Sequence, residues 1–338
     1  MLTAGGRSQV AWVPTPCSSP WQGHAPSAAA AAASARRGEI AQLLVVLDAT
    51  ESNPTQRMIA LGGLRLWLAV DAAEPFEDLV ELDGLACLRR ALLSDNSAVQ
   101  HDVAWILGNM AAHDFTKAIA GAGIHDAALS VIQSPSRADV CEHCLWLLGN
   151  MAADGDIELR DCLLHGGAIG IVSELFKRLP SLDWEASQQK EVVHTMVWML
   201  QQLCAGDPAP QYDEVLPALE FFALALQRCE DVDIVSESCK GIALILQVAP
   251  TSEARSRALQ QLLPAETGAK MDAKAVNRLV DVLDNLLPSL EGNLRTQVQQ
   301  LRETCIGSKD MLHNMGEFRV SAICGGTPLQ PAAYQFGA

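Results

Sequence analysis

The residues with the clearest chemistry in this sequence are tryptophans and asparagines set one helical turn apart. The phrase Val103-Ala-Trp-Ile-Leu-Gly-Asn-Met-Ala-Ala112 is followed by Cys144-Leu-Trp-Leu-Leu-Gly-Asn-Met-Ala-Ala153. Trp105 and Trp146 therefore lie 41 residues apart, and each precedes an asparagine, Asn109 or Asn150, by four. A looser copy, Val197-Trp-Met-Leu-Gln-Gln202, sets Trp198 and Gln202 in the same register 52 residues further on. Residues i and i+4 share a helix face, so each phrase places an indole beside a carboxamide. An indole face accepts aliphatic stems and the cations they carry. A carboxamide offers both donor and acceptor, which suits holding an extended backbone without reading its side chains. A lone tryptophan on a helix is usually core, but three in one register predict a recognition face. Gly108 and Gly149, inside the repeated phrase, are read as permitting close helix packing.

Other chemistry is thin. Cys141-Glu-His-Cys144 has zinc-like spacing, but a structural site needs four ligands and no second pair follows; no metal site is expected. No Gly-rich phosphate loop, Ser/His/Asp set or nucleophile elbow is present, and the eight histidines form no ligand pattern. The chain is read as a non-enzyme without cofactors. A net charge of −16 and a pI near 4.8 argue against nucleic acid and anionic membranes, which call for basic patches, and favour cationic partners. No apolar run reaches the length of a membrane span. The ten cysteines are scattered through helical patterns, as expected of reduced thiols.

A phrase recurring at about 40 residues is the signature of stacked helical repeats. Glu39–Asp48 reads as an apolar helix, and Asn53-Pro54 opens a second through Leu68. From Pro75 a three-helix rhythm sets in. Phe76–Leu82, Leu85–Leu93 and Val99–Ala112 form one unit, with Ser94-Asp-Asn-Ser97 supplying the cap before the long third helix. Phe115–Ala120, Ile124–Ile132 and Val140–Ala153 form the next, with Gly121 and Gly123 at the turn. Ile157–Leu164, Ala168–Leu179 and a long helix ending near Leu203 follow, then a fifth unit from Tyr212 to about Val248.

The phrase from Val140 to Asp154, continued by Glu158-Leu-Arg-Asp-Cys162, resembles the third armadillo repeat of importin-α. Asp207-Pro-Ala-Pro-Gln-Tyr-Asp-Glu-Val-Leu-Pro-Ala-Leu219 resembles that family's link from the fourth repeat to the fifth. The resemblance covers roughly residues 39–250. It implies an all-α armadillo-repeat right-handed superhelical solenoid of about five to six repeats. It further implies that the third helices line a concave groove where paired Trp and Asn bind the Lys/Arg-rich nuclear localisation signal of a cargo protein.

Physical spacing agrees with that role. Helix layers stand about 8–10 Å apart, while an extended peptide repeats side-chain direction every ~6.6 Å. Parallel indoles thus form slots for successive lysine stems. Asp154 matches the family's acidic contact, Glu142 lies one turn before Trp146, and Asp102 three residues before Trp105. The expected peptide-binding set is Trp105, Asn109, Trp146, Asn150, Asp154, Trp198, Gln202, Glu142 and Asp102. In the first repeat Gly62 and Leu66 align with the Trp and Asn positions, so this layer lacks the ladder, and Trp67 falls off that face as core. Lys240 and Leu244 take the corresponding positions of the fifth repeat, which suggests that a cationic groove ends at the fourth.

Four segments are expected: a low-complexity, disordered leader over 1–38, armadillo repeats 1–5 over 39–250, a degenerate repeat or cap over 251–305, and a loose tail over 306–338. The leader holds an alanine run and three arginines, and it is alternatively an organelle transit peptide or a misplaced start. Its charge is too small for the basic segment with which importin-α binds importin-β, so that partner is not expected. The reading is an adaptor in cytoplasm and nucleus for nuclear protein import. Its alternative is an armadillo scaffold or decoy that binds another extended partner without transport.

Overall fold

Short, medium and long helices recur in that order along the chain. The structure is a computed structural model describing residues 26–49, 52–68, 74–229 and 231–251, with isolated positions beyond. A pair comes first, α1 (Pro26–Asp48) and α2 (Pro54–Leu68). Three triplets follow: α3 (Glu74–Glu81), α4 (Gly84–Leu92) and α5 (Ser97–Ala112); α6 (Thr116–Gly121), α7 (Ile124–Gln133) and α8 (Ala138–Ala153); α9 (Ile157–His165), α10 (Ala168–Arg178) and α11 (Ala186–Cys204). The last triplet is α12 (Tyr212–Val215), α13 (Ala218–Arg228) and α14 (Val232–Val248). No strand occurs among the described residues. The expected helices of 251–305, the tail over 306–338 and the leader before Pro26 lie outside the described stretches.

Contacts divide the chain into two units, residues 1–195 and 196–338, with the division inside α11. In the first unit one backbone device repeats. Asp83, Gly123 and Gly167 precede α4, α7 and α10 with φ of 56°, 66° and 75°. This left-handed region disfavours a Cβ, so glycine fits two of the corners naturally. Asp83 holds the third, as short polar residues do most readily.

Side-chain caps start α5 and α9. The Asn96 carboxamide oxygen accepts from the backbone N–H of Ala98 at 3.0 Å and of Val99 at 3.1 Å, which fixes where α5 begins. Of the four residues expected to cap this helix, Asn96 is the one that does so. Asp156 caps α9 in the same way, accepting from Glu158 N–H at 2.9 Å.

The long helices α5 and α8 pack against each other more extensively than any other pair in this unit. Each is buried over most of its circumference. Val99, Val103, Ile106, Leu107 and Met110 of α5 meet the core, as do Val140, Cys144, Leu147, Leu148 and Met151 of α8. Each such side chain contributes roughly 1.5–3 kcal/mol when fully buried, so the orientation of both helices is strongly specified.

Helix α1 begins at Pro26, well ahead of the expected Glu39. Alanine has the strongest intrinsic helix propensity, and proline is tolerated in a first turn. The low-complexity run therefore joins the helix. Its arginines are part of the packed unit: Arg36 Nε pairs with Asp78 at 2.7 Å, and Arg37 bonds Glu81, both on α3.

In the second unit α13 packs against α14. Phe221 and Phe222 are fully buried edge-to-face, with ring centroids 5.6 Å apart. Asp231 caps α14 by accepting from Asp233 and Ile234 N–H.

Candidate functional site: the open face of the long helices

Burial leaves one stripe uncovered on each long helix. On α5 it runs through His101, Trp105 and Asn109, all half-buried between fully buried neighbours. On α8 it runs through Glu142, Trp146 and Asn150, again half-buried. In the second unit Trp198 and Gln202 hold the same intermediate exposure on α11. The spacing of four places each indole and its carboxamide on one face.

The α8 pair is seated on α5. A Cβ built on Gly108 would stand 2.4 Å from Trp146 Cε3, so the indole lies directly against the glycine backbone. Asn150 Nδ2 approaches the Gly108 carbonyl at 3.5 Å. Asn109 Nδ2 donates to the Trp105 carbonyl at 2.8 Å, which holds its carboxamide beside its own indole.

Carboxylates gather about Glu142, one helical turn before Trp146. The Glu142 carboxyl is pushed up, first by burial and then by the neighbouring charges of Glu191 and Asp139, against a smaller opposing effect of His194. Asp154 follows the last turn of α8, where the buried Thr116 hydroxyl donates to its Oδ2 at 2.6 Å. Lys117 stands close by, with Nζ 2.8 Å from Asp156.

Trp105 has a different environment. The Arg65 guanidinium of α2 lies over its ring, with Cζ 4.5 Å from the centroid. Arg65 also pairs with Asp102, which is 6% exposed. His101 Nδ1 lies 3.2 Å from the same carboxylate oxygen. Burial would raise the Asp102 carboxyl, but His101 and Arg65 outweigh it and hold the pKa below the ordinary value. Asp102, expected as a free acidic contact, is thus enclosed and already paired. Beyond His101 comes His143, its ring tilted by 51° with the two centroids 5.1 Å apart. Burial, reinforced by His101, pushes His143 down to about 4.

In the first repeat the Trp67 expectation changes, while that for Gly62 and Leu66 does not. Leu66 is 75% exposed and Gly62 has open space around it, in line with a first layer that supplies no Trp/Asn pair. Arg65 takes the ladder step instead. It lies 40 residues before Trp105, nearly the 41 that separate the two tryptophans, and that spacing was available in the sequence. Trp67, expected in the core, is half-exposed and lines an open pocket between α1 and α2 with Leu43, Gly63 and Leu66. In the second unit Lys240 is exposed and its Nζ lies 2.5 Å from Glu237, while Leu244 is half-buried. Cys141 and Cys144 are fully buried in α8, and burial pushes the Cys144 thiol up to about 12. Among the described residues no His/Cys/Asp/Glu group suits a metal ion, and no helix is long and apolar enough to cross a membrane.

A designed armadillo repeat protein solved in complex with the peptide (KR)4 is 18% identical, with a TM-score of 0.55, covering 80% of this chain and 99% of that one. Computationally designed armadillo repeat proteins for modular peptide recognition align with a TM-score of 0.56 at 18% identity, covering 80% and 99%. This is the armadillo-repeat fold. No family model matches the chain. Among curated proteins, importin subunit alpha-1b of Oryza sativa subsp. japonica is 28% identical over 222 residues, 63% of this chain and 38% of that protein. Importin subunit alpha-2 of Arabidopsis thaliana is 26% identical over 227 residues, 65% and 37% respectively. The probable importin subunit alpha-A of Dictyostelium discoideum is 27% identical over 165 residues, 46% and 30%. The armadillo chain is thus a divergent relative of importin α subunits and spans less than two-fifths of the length of each.

Proposed function

We propose that this armadillo protein binds extended Lys/Arg-rich segments, of the nuclear-localisation-signal kind, on the open face of its long helices. The observation that carries the reading is Trp146. Its half-buried indole is anchored on Gly108 and flanked by Asn150 one turn on and Glu142 one turn before, and Glu142 is itself within the field of Glu191 and Asp139. A lysine stem gains contact with the ring while its ammonium meets carboxylates. Asn150 and Asn109 retain acceptor oxygens suited to an extended backbone. Asp154 adds charge at the end of α8, and Trp198 with Gln202 offers a further indole and carboxamide in the second unit. The curated relatives are importin α subunits, and one neighbour in fold carries a (KR)4 peptide. A role in nuclear import, with residence in cytoplasm and nucleus, belongs to the same proposal.

Calorimetry with a Lys-Lys-x-Lys peptide tests it. Binding in about the micromolar range or tighter is expected, with Trp146→Ala weakening it about tenfold or more because a desolvated aromatic anchor is a typical hot spot. Equal affinity for the peptide and its all-alanine version sinks the reading.

A further inference from the structure

Trp105 and Trp146 face opposite electrostatic situations. One turn before Trp146, Glu142 shares its surroundings with Glu191 and Asp139 and makes no ion pair among the described residues. At Trp105 a cation is already in place. Arg65 Cζ sits 4.5 Å above the ring, and its guanidinium is bonded to Asp102. A basic side chain seeking this indole needs an aromatic face and a nearby carboxylate, and Arg65 has engaged both. It is held there firmly. Asp102 is 6% exposed, and His101 Nδ1 lies 3.2 Å from the same oxygen that Arg65 engages. Arg65 itself keeps 37% of its side chain exposed, so its positive charge faces whatever approaches.

We propose that Arg65 is a built-in ligand of the Trp105 step. It blocks a peptide cation there and confines basic side chains of a bound segment to the Trp146 step. The inference rests on the peptide-binding reading above and deepens it: it fixes which position of a bound segment must be basic. A segment seated on this face carries lysine or arginine opposite Trp146 and a neutral residue opposite Trp105. A cation at the latter position meets like charge, with neither π face nor carboxylate in reward. Arg65 reaches this place from the preceding repeat, one ladder step before Trp105, so its contact replaces a third indole.

The test compares Arg65→Ala/Asp102→Asn with Asp102→Asn alone, by calorimetry against a Lys-Lys-x-Lys peptide. The paired substitution leaves no buried carboxylate without a partner, and the single-variant reference cancels the charge removed from Asp102. A gain of about two- to fivefold is expected, the scale of one exposed cation–π contact. Adding Trp105→Ala should then remove that gain. Unchanged or weaker binding by Arg65→Ala/Asp102→Asn overturns the inference if Trp146→Ala still weakens the wild type, since Arg65 is then a purely structural ion pair. If Trp146→Ala is also without effect, the peptide-binding reading itself fails and the inference falls with it.

Discussion

Gly108 and Trp146 belong to successive repeats, yet they form one contact: the indole occupies the space a side chain at 108 would need, 2.4 Å from its Cβ. The glycine inside the repeated phrase therefore serves the tryptophan of the next phrase. Gly108→Ala must displace either the ring or the backbone, and overpacking of this kind costs about 1–3 kcal/mol. A lower urea midpoint together with weakened peptide binding is the expected outcome. A variant as stable as wild type, with unaltered affinity, would show that the contact yields freely.

Asp154 allows charge and structure to be separated. Its carboxylate accepts from the buried Thr116 hydroxyl at 2.6 Å. Asp154→Asn keeps an acceptor for that bond and removes the charge, so stability should hold while peptide binding weakens and its salt dependence flattens. Asp154→Ala should instead lose about 1–3 kcal/mol of stability by leaving a buried hydroxyl unpaired. Denaturation curves paired with calorimetry at two salt concentrations distinguish the two effects.

Stability should respond to acid through His143. Its folded pKa of about 4 lies below the ordinary 6.5, so the unfolded chain binds more protons between these values. The contribution of neutral His143 is complete above pH 6.5 and is lost as pH falls toward about 4. Glu142 works in the opposite sense: its raised pKa makes its burial least costly when it is protonated, at low pH. His143→Gln should therefore flatten the fall in urea midpoint across this window, and Glu142→Gln should steepen it. Parallel profiles for all three proteins would contradict the assignment.

The cap at Asn96 is a local control. Its oxygen accepts two backbone N–H groups at the start of α5, and Asn96→Ala should cost about 1 kcal/mol. Peptide affinity should be nearly unaffected, because the cap lies more than two turns from Trp105 along the helix.

Much of this was legible in the sequence, for identifiable reasons. The long helices carry a repeated phrase, and their fully apolar sides leave one polar-aromatic stripe; Val140–Ala153 differs from the observed helix only by its first two residues. The first repeat was harder to read. It has no tryptophan at the ladder step, and hydrophobic pattern alone allows an alignment to slip by three residues, which is how Gly62 stood in for Arg65. The pairing of Arg65 with Asp102 spans 37 residues, so neither helix pattern announces it. The alanine run before Glu39 reads as part of a disordered leader because it lacks an apolar stripe. Its helicity follows from intrinsic propensity instead, and Arg36 and Arg37 tie it to α3 through ion pairs between distant parts of the chain.

The left-handed corners at Asp83, Gly123 and Gly167 have a practical corollary. A joint defined by dihedral angle is indifferent to the side chains on either side of it, so the helices it links behave as cassettes with standard couplings. Two couplings are glycine and one is aspartate, whose Cβ makes the same bend strained. The Asp83 joint is accordingly the place where a single substitution, Asp83→Gly, would make this chain more uniform along its length.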